Sequence, residues 1–321
     1  MKYKKIIYVL LAAMLLMVGC GGEKPDTASG ASKKEEGKGG HPGSEMAAPP
    51  AERTALAFES IPEKVVVGTV GLTEIFDALE IDLVGVPSSK SYSIPERYKE
   101  AQEIGMSMKP DLEIIKSLEP DQFITDALFE SSLGKSLKEK GIPTSFVATS
   151  GYDDIVYSIE NIGHAFGKDE KAKALTDKMK AIEKEVADRV KNEEKKKVMV
   201  IFGTPESFML ATKQSYIGDL VNRLGLENVA DAAEGKGPYV PFSIESAVNM
   251  NPDVILRFTH TDPETSKKMF DKEFAENPVW NALEAVKNKT VYDLDPHYFG
   301  VTANIRGAEA LQILADMIYG K

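Results

Sequence analysis

Two methionines stand two positions apart in the stretch EIGMSMKPDLEII, residues 103–115, as Met106 and Met108. A thioether is a soft metal ligand, and it is also ordinary filler of irregular apolar gaps. Imidazole is the other side chain here with clear ligand chemistry, and the chain holds His41, His164, His260 and His297. A histidine coordinates through its neutral ring, which near-neutral pH supplies. Residue type alone leaves Met106 and Met108 open between ligand and packing. His260, in LRFTHTDPE, is either a ligand or a loop residue satisfied by hydrogen bonds. His164, just before a long charged segment, reads as structural or solvated, and His41 as solvated.

Two carboxylates recur in a shared setting. LEIIKSLEPDQFI and IESAVNMNPDVIL each open on a hydrophobe and a glutamate, and each has a proline seven positions later (120 − 113 = 252 − 245). Glu113 and Glu245 are 245 − 113 = 132 residues apart. Each glutamate would favour a helix N-terminus through the helix dipole. Their equivalent places in two halves also suit a paired contact with a positive surface.

Other chemistry is excluded. The net charge is −11 and no basic block occurs, which argues against nucleic acid. No nucleophile motif, P-loop or dinucleotide loop is present; VGTVGL and GYDD are too weak to stand for one, so the chain reads as a non-enzyme. A zinc or manganese site would need several close nitrogen or carboxylate ligands, and the histidines are far apart in sequence.

The N-terminus carries an address. MKYKK is a positive region and IIYVLLAAMLLMVG an apolar one too short to span a bilayer. The sole cysteine, Cys20, closes it. MVGC resembles a bacterial lipobox, which implies a signal peptide over 1–19 and lipidation of Cys20, holding the chain on a bilayer. Residues 20–60 are rich in Gly, Ser, Pro and charge and read as a flexible tether.

The elements that must position the candidates follow. KVVVGTV at 64–70 reads as a buried strand and GLTEIFDALEI as a helix capped by Thr73, with DLVGVP a second strand. PDLEIIKSLEPDQFIT repeats helix then strand, with Pro110 near the first helical position. SLGKSLKEKGIPTSFVA repeats it again. The helix over 168–196 keeps Ala172, Leu175, Met179, Ile182, Val186 and Val190 on one side at spacings of three or four. KVMVIFG at 197–203 restarts the strand–helix pattern, which closes on the helix IRGAEALQILADMIYG. The expected fold is α/β: two similar lobes with parallel-rich sheets, 61–167 and 197–321, joined by one long backbone helix over 168–196. The ligand cleft would lie between the lobes.

From about residue 60 onward the chain resembles the substrate-binding lipoproteins of bacterial uptake ABC transporters that carry haem, siderophores or cobalamin. Within that class it is similar to the haem-binding type of the iron-regulated surface determinant system. The resemblance rests on YSIPERYKEAQEIG, MKPDLEIIKSLEPD, FSIE, MFDKEFAENPVWNALEAVKNKTVYDLD and TANIRGAEAL. It implies Met108 from the first lobe and His260 from the second as axial ligands of haem b iron. Thioether and imidazole are both established axial ligands. It implies that Glu113 and Glu245 dock onto a permease. Met106 is an extra neighbour at the porphyrin edge. Tyr239, Tyr298 and Phe299 are candidates to stack on the ring, His297 to reach it as a ligand or propionate contact, and Arg257 and Arg306 to meet its propionates.

The resemblance further implies a monomer, lipid-anchored on the outer face of the cytoplasmic membrane of a Gram-positive cell. It would receive haem, free or from a surface donor protein, and pass it to an ABC permease. A ferric-siderophore receptor on the same scaffold is the alternative.

Overall fold

The computed structural model describes residues 53–89, 92–203, 208–232, 237–241, 244–259 and 263–320. The expected signal peptide, Cys20 and most of the expected tether lie outside the described residues, as does His260.

The first lobe begins with Val65–Val67 (β1), three β-branched residues, all buried. A strand covered on both faces reads as such a continuous apolar run. There follow Gly85–Val86 (β2), Gln102–Glu103 (β3), Gly105–Met106 (β4), Lys109–Pro110 (β5), Gln122–Asp126 (β6) and Thr144–Val147 (β7). Five of these form a sheet ordered β3-β2-β1-β6-β7, parallel throughout. β4 and β5 form a separate antiparallel hairpin. The crossovers contain helices Val70–Ala78 (α1), Leu112–Ser117 (α2) and Glu130–Glu139 (α3), and Tyr152–Ala165 (α4) follows β7. α1 starts earlier than the sequence implied. Thr69 caps it by accepting the Leu72 N–H, while Thr73 is fully buried inside the helix and donates its hydroxyl to Thr69 O. α2 is capped by Asp111, whose carboxylate accepts the Glu113 and Ile114 N–H groups at 2.9 and 3.1 Å. Pro110 therefore sits before the cap, in β5, and not at the first helical position.

The backbone helix runs Asp169–Val190 (α5), twenty-two residues. It stops short of the expected 196 because NEEKKK has no apolar side chain to bury. Ala172, Thr176, Met179, Val186 and Val190 form its buried stripe, with Leu175 and Ile182 half-buried beside them. This stripe packs against α4 of the first lobe and against the C-terminal helix of the second.

The second lobe contains Lys197–Gly203 (β8), Phe208–Ala211 (β9), Glu227–Asn228 (β10), Tyr239–Pro241 (β11), Val254–Thr259 (β12) and Val291–Asp293 (β13). The sheet order is β11-β9-β8-β12-β13, with β10 also on β8. β10, β12 and β13 are parallel neighbours; β9 and β11 add an antiparallel edge. Helices Tyr216–Arg223 (α6), Ile244–Met250 (α7), Pro263–Glu276 (α8) and Gly307–Tyr319 (α9) cover it.

The two halves share a detailed device. In each, a short helix with a glutamate as its second residue, α2 or α7, ends near a residue of positive φ, Glu119 at 49° and Asn251 at 42°. A Pro-Asp pair follows in both. Asp121 accepts the N–H of Lys64 at 2.8 Å beside β1, and Asp253 accepts the N–H of Lys197 at 2.7 Å at the start of β8. The sequence duplication is thus a structural one.

Candidate functional site

Parallel strands in an α/β sheet end together, and ligands collect beyond their carboxyl ends. In the first lobe that edge carries Thr69 after β1, Ser88 after β2, Asp126 at the end of β6 and Thr149 beyond β7. The β4–β5 hairpin rises from the same edge, held by Ser88 N–H to Gly105 O at 2.9 Å and Asp111 N–H to Ile104 O at 2.7 Å. Its two-residue tip is Ser107–Met108. Gly105 enters it at φ 91°, a conformation glycine adopts without steric cost. Met108 is 57% exposed and Met106 55%. Neither side chain packs in the core.

Contacts among the described residues join this edge to the second lobe. The Ala303 N–H donates to Thr149 O at 2.8 Å. Arg306 Nη1 meets Glu74 Oε2 at 2.7 Å, bridging α1 and the start of α9. Tyr92, in the loop after β2, donates its hydroxyl to Pro296 O at 3.4 Å. The Tyr92 phenol is pushed above its ordinary pKa by burial first, then by Asp295 and Glu74, so it stays a neutral donor. Beneath the edge, Asp126 is buried with its carboxylate on the Thr149 hydroxyl and the Leu128 N–H. Burial pushes it up to about 6, against the pull of those two donors.

On the second lobe, the loop after β13 brings His297 to this mouth. His297 is exposed, next to the Pro296 that Tyr92 touches, and its ring stands edge-on to Tyr298 at 4.9 Å. Tyr298 is half-buried and its carbonyl accepts the Tyr216 hydroxyl at 3.2 Å. β12 ends at Thr259, in register with Gly203 of β8. His260 is the next residue in sequence and lies outside the described residues.

Several expected ring and propionate contacts are corrected. Phe299 is fully buried in the core. Tyr239 is 3% exposed on the antiparallel strand β11, with its ring against Phe202 at 5.0 Å. Arg257 points into its own lobe. Its guanidinium grips Asp293 with two bonds of 2.7 Å, reaches Asp271 at 3.3 Å and lies over Phe270 and Phe274. A bidentate, stacked arginine with 7% of its side chain exposed has no free face for a propionate. Arg306 is held by Glu74. Sequence reasoning missed Tyr92, Glu74 and Thr149, whose partners across the mouth are remote in the chain, and Asp126, buried beneath them on the Thr149 hydroxyl.

Glu113 stands on the outer surface of the first lobe, 76% exposed and paired with Lys140, whose hydrogen bond holds its carboxyl below the usual range. Glu245 occupies the second position of α7. A shallow hollow of about 390 Å³ lined by Leu226, Asn228, Asp231 and Met250 opens near the other end of the second sheet, where β10 meets the start of β8. It is remote from the mouth. Among the described residues, no group of three or more His, Cys, Asp or Glu could hold a bare metal ion.

A family described as periplasmic binding protein matches residues 65–298. The high-affinity heme uptake system protein IsdE of Staphylococcus aureus strain bovine RF122 / ET3-1 is 36% identical over 257 residues, 80% of this chain and 87% of that protein. The crystal structure of S. aureus IsdE complexed with heme superposes with TM-score 0.74 at 35% identity, covering 80% of this chain and 98% of that one. An ABC transporter substrate-binding protein from Listeria monocytogenes EGD-e superposes with TM-score 0.75 at 37% identity, covering 82% and 100%.

Proposed function

The chain belongs to the periplasmic binding protein family, and we propose that it is a haem receptor that delivers its cargo to an ABC permease for iron acquisition. One observation carries the reading: in a chain this similar to a heme uptake protein, the Met108 thioether is held out of the core on a pinned hairpin at the edge facing the second lobe. Porphyrin supplies four nitrogens to iron and leaves two axial positions. In our reading Met108 fills one from the first lobe and His260 the other from the second. Tyr92 and His297 flank the ring at the mouth. No catalytic step is assigned.

Two finer assignments belong to the same reading. Glu113 and Glu245, each the second residue of a duplicated helix, dock the two lobes onto basic residues of the permease. Lipidated Cys20 anchors the chain, as a monomer, on the outer face of a Gram-positive cytoplasmic membrane. Haem reaches it free or from a surface donor protein.

The test is titration of the intact protein with hemin, followed by absorption spectroscopy. The parent is expected to give a low-spin Soret band. M108A and H260A are each expected to weaken binding at least tenfold, about 1.4 kcal/mol, and to lose the low-spin position. Parent-like binding by both variants would remove the axial assignment. Binding of a ferric siderophore in place of hemin would replace the cargo.

A further inference from the structure

The methionines of the described chain divide sharply by exposure. Met179 is 2% exposed and Met199 fully buried. Met209, Met250, Met269 and Met317 are partly covered. Met106 and Met108 alone among the described methionines are exposed, at 55% and 57%. They lie two residues apart on a hairpin whose tip is Ser107–Met108, anchored at its base by the Ser88–Gly105 and Asp111–Ile104 hydrogen bonds. A thioether in that position meets aqueous oxidants freely, whereas core packing denies them access to Met179 and Met199.

We propose that the hairpin tip is a peroxide-responsive modification site, in which oxidation of Met108 to methionine sulfoxide turns ligand binding off in the unloaded receptor. The inference rests on the reading of Met108 as an iron ligand. In the step, a sulfur lone pair of Met108 attacks one oxygen of hydrogen peroxide. An S–O bond forms and the O–O bond breaks. The sulfur gives up two electrons, and the second peroxide oxygen leaves as water after proton transfer. The product is polar and chiral, and methionine sulfoxide reductases reverse it. Its sulfur no longer offers the soft thioether donor that suits the axial position. Met106, equally exposed, is oxidised under the same conditions. The pair therefore gives the site two sensors of one oxidant, of which Met108 sits at the ligand position.

The experiment uses the intact, haem-free protein. It is treated with hydrogen peroxide, freed of oxidant, mapped by peptide mass spectrometry and then titrated with hemin. Met106 and Met108 are expected to gain one oxygen well before Met179 and Met199. Hemin affinity is expected to fall at least tenfold as Met108 sulfoxide accumulates, and to return after treatment with methionine sulfoxide reductases. M108L, whose affinity is low from the start, should lose nothing further on oxidation. Oxidation of the buried methionines as fast as Met108 would overturn the site. So would full hemin affinity in protein whose Met108 is oxidised; with M108L still impaired, that result leaves the haem reading standing. Parent-like hemin binding by M108L would instead bring down the ligand assignment and this inference with it.

Discussion

Arg306 and Glu74 meet at 2.7 Å across 232 positions of chain, with 23% and 14% of their side chains exposed. They tie the start of α9 in the second lobe to α1 in the first, beside the Ala303–Thr149 hydrogen bond. Removing one partner leaves a largely buried charge without its complement. E74Q and R306M should each cost about 1.5–3 kcal/mol in urea unfolding. The double variant should cost less than the sum, because the orphaned charge is gone. Hemin affinity should fall in both single variants, since the distance between the lobes is no longer fixed there. Simple additivity in the cycle would show that the pair is not coupled.

Asp126 gives a pH dependence with a definite sign. Burial raises its pKa from 3.8 to about 6, opposed by the Thr149 hydroxyl and the Leu128 N–H; nearby Asp154, paired with Arg53, adds to the rise. The folded chain therefore holds this proton more tightly than the unfolded chain. The group's contribution is fully present below about pH 3.8, declines between there and about pH 6, and is lost above. Two pH units correspond to roughly 3 kcal/mol. The stability of the parent minus that of D126N should fall by about that amount across this window. Parallel pH profiles for the two proteins would contradict it.

Arg223 is the junction of three helices. Its guanidinium meets Asp153 of α4 at 2.7 Å, Glu183 of α5 at 2.5 Å and Asp219 of α6 at 3.2 Å, and stacks over Tyr152 at 4.7 Å. An ammonium cannot reproduce that planar fork. R223K should lose about 2–4 kcal/mol of stability, discounted for the 18% of the side chain that water reaches. A loss near zero would mean that packing along the α5 stripe suffices without the fork.

The parts of the fold that were legible are those written in local periodicity. Val65–Val67 and Lys197–Gly203 announce themselves as unbroken β-branched or apolar runs, and the stripe of α5 as residues three or four apart. The duplication was legible because Pro-Asp follows each short helix at the same offset. What stayed hidden depends on partners remote in sequence. Arg257 reads as a propionate candidate until Asp293, 36 residues on, is seen gripping it. Tyr92 reads as a loop tyrosine until Pro296, 204 residues on, accepts its hydroxyl. Tyr239 belongs to an antiparallel edge strand of only three residues, too short to show a period. The candidate Met108 was marked by its motif; only the hairpin explains why its side chain stays out of the core.

The duplicated clasp offers a test of how independent the halves are. Asp121 accepts the N–H groups of Glu63 and Lys64 at 2.9 and 2.8 Å, and its own N–H returns to Lys64 O at 2.9 Å. Asp253 accepts the Lys197 N–H at 2.7 Å, and its N–H returns to Lys197 O at 2.8 Å. Each carboxylate thus fixes the entry of its lobe's central strand, β1 or β8, against the turn that follows a glutamate-bearing helix. D121A and D253A should each cost about 1 kcal/mol, since these bonds are near the surface and water replaces them in part. The two sites lie in different sheets with no shared partner, so the double variant should show the sum to within about 0.5 kcal/mol. Both lobes unfold as one unit only if α5 and the Arg306–Glu74 pair transmit the loss. Urea curves of the two single variants should then keep a single transition and a common slope, with only the midpoint lowered. A biphasic curve for D253A but not for D121A would show that the second lobe unfolds on its own.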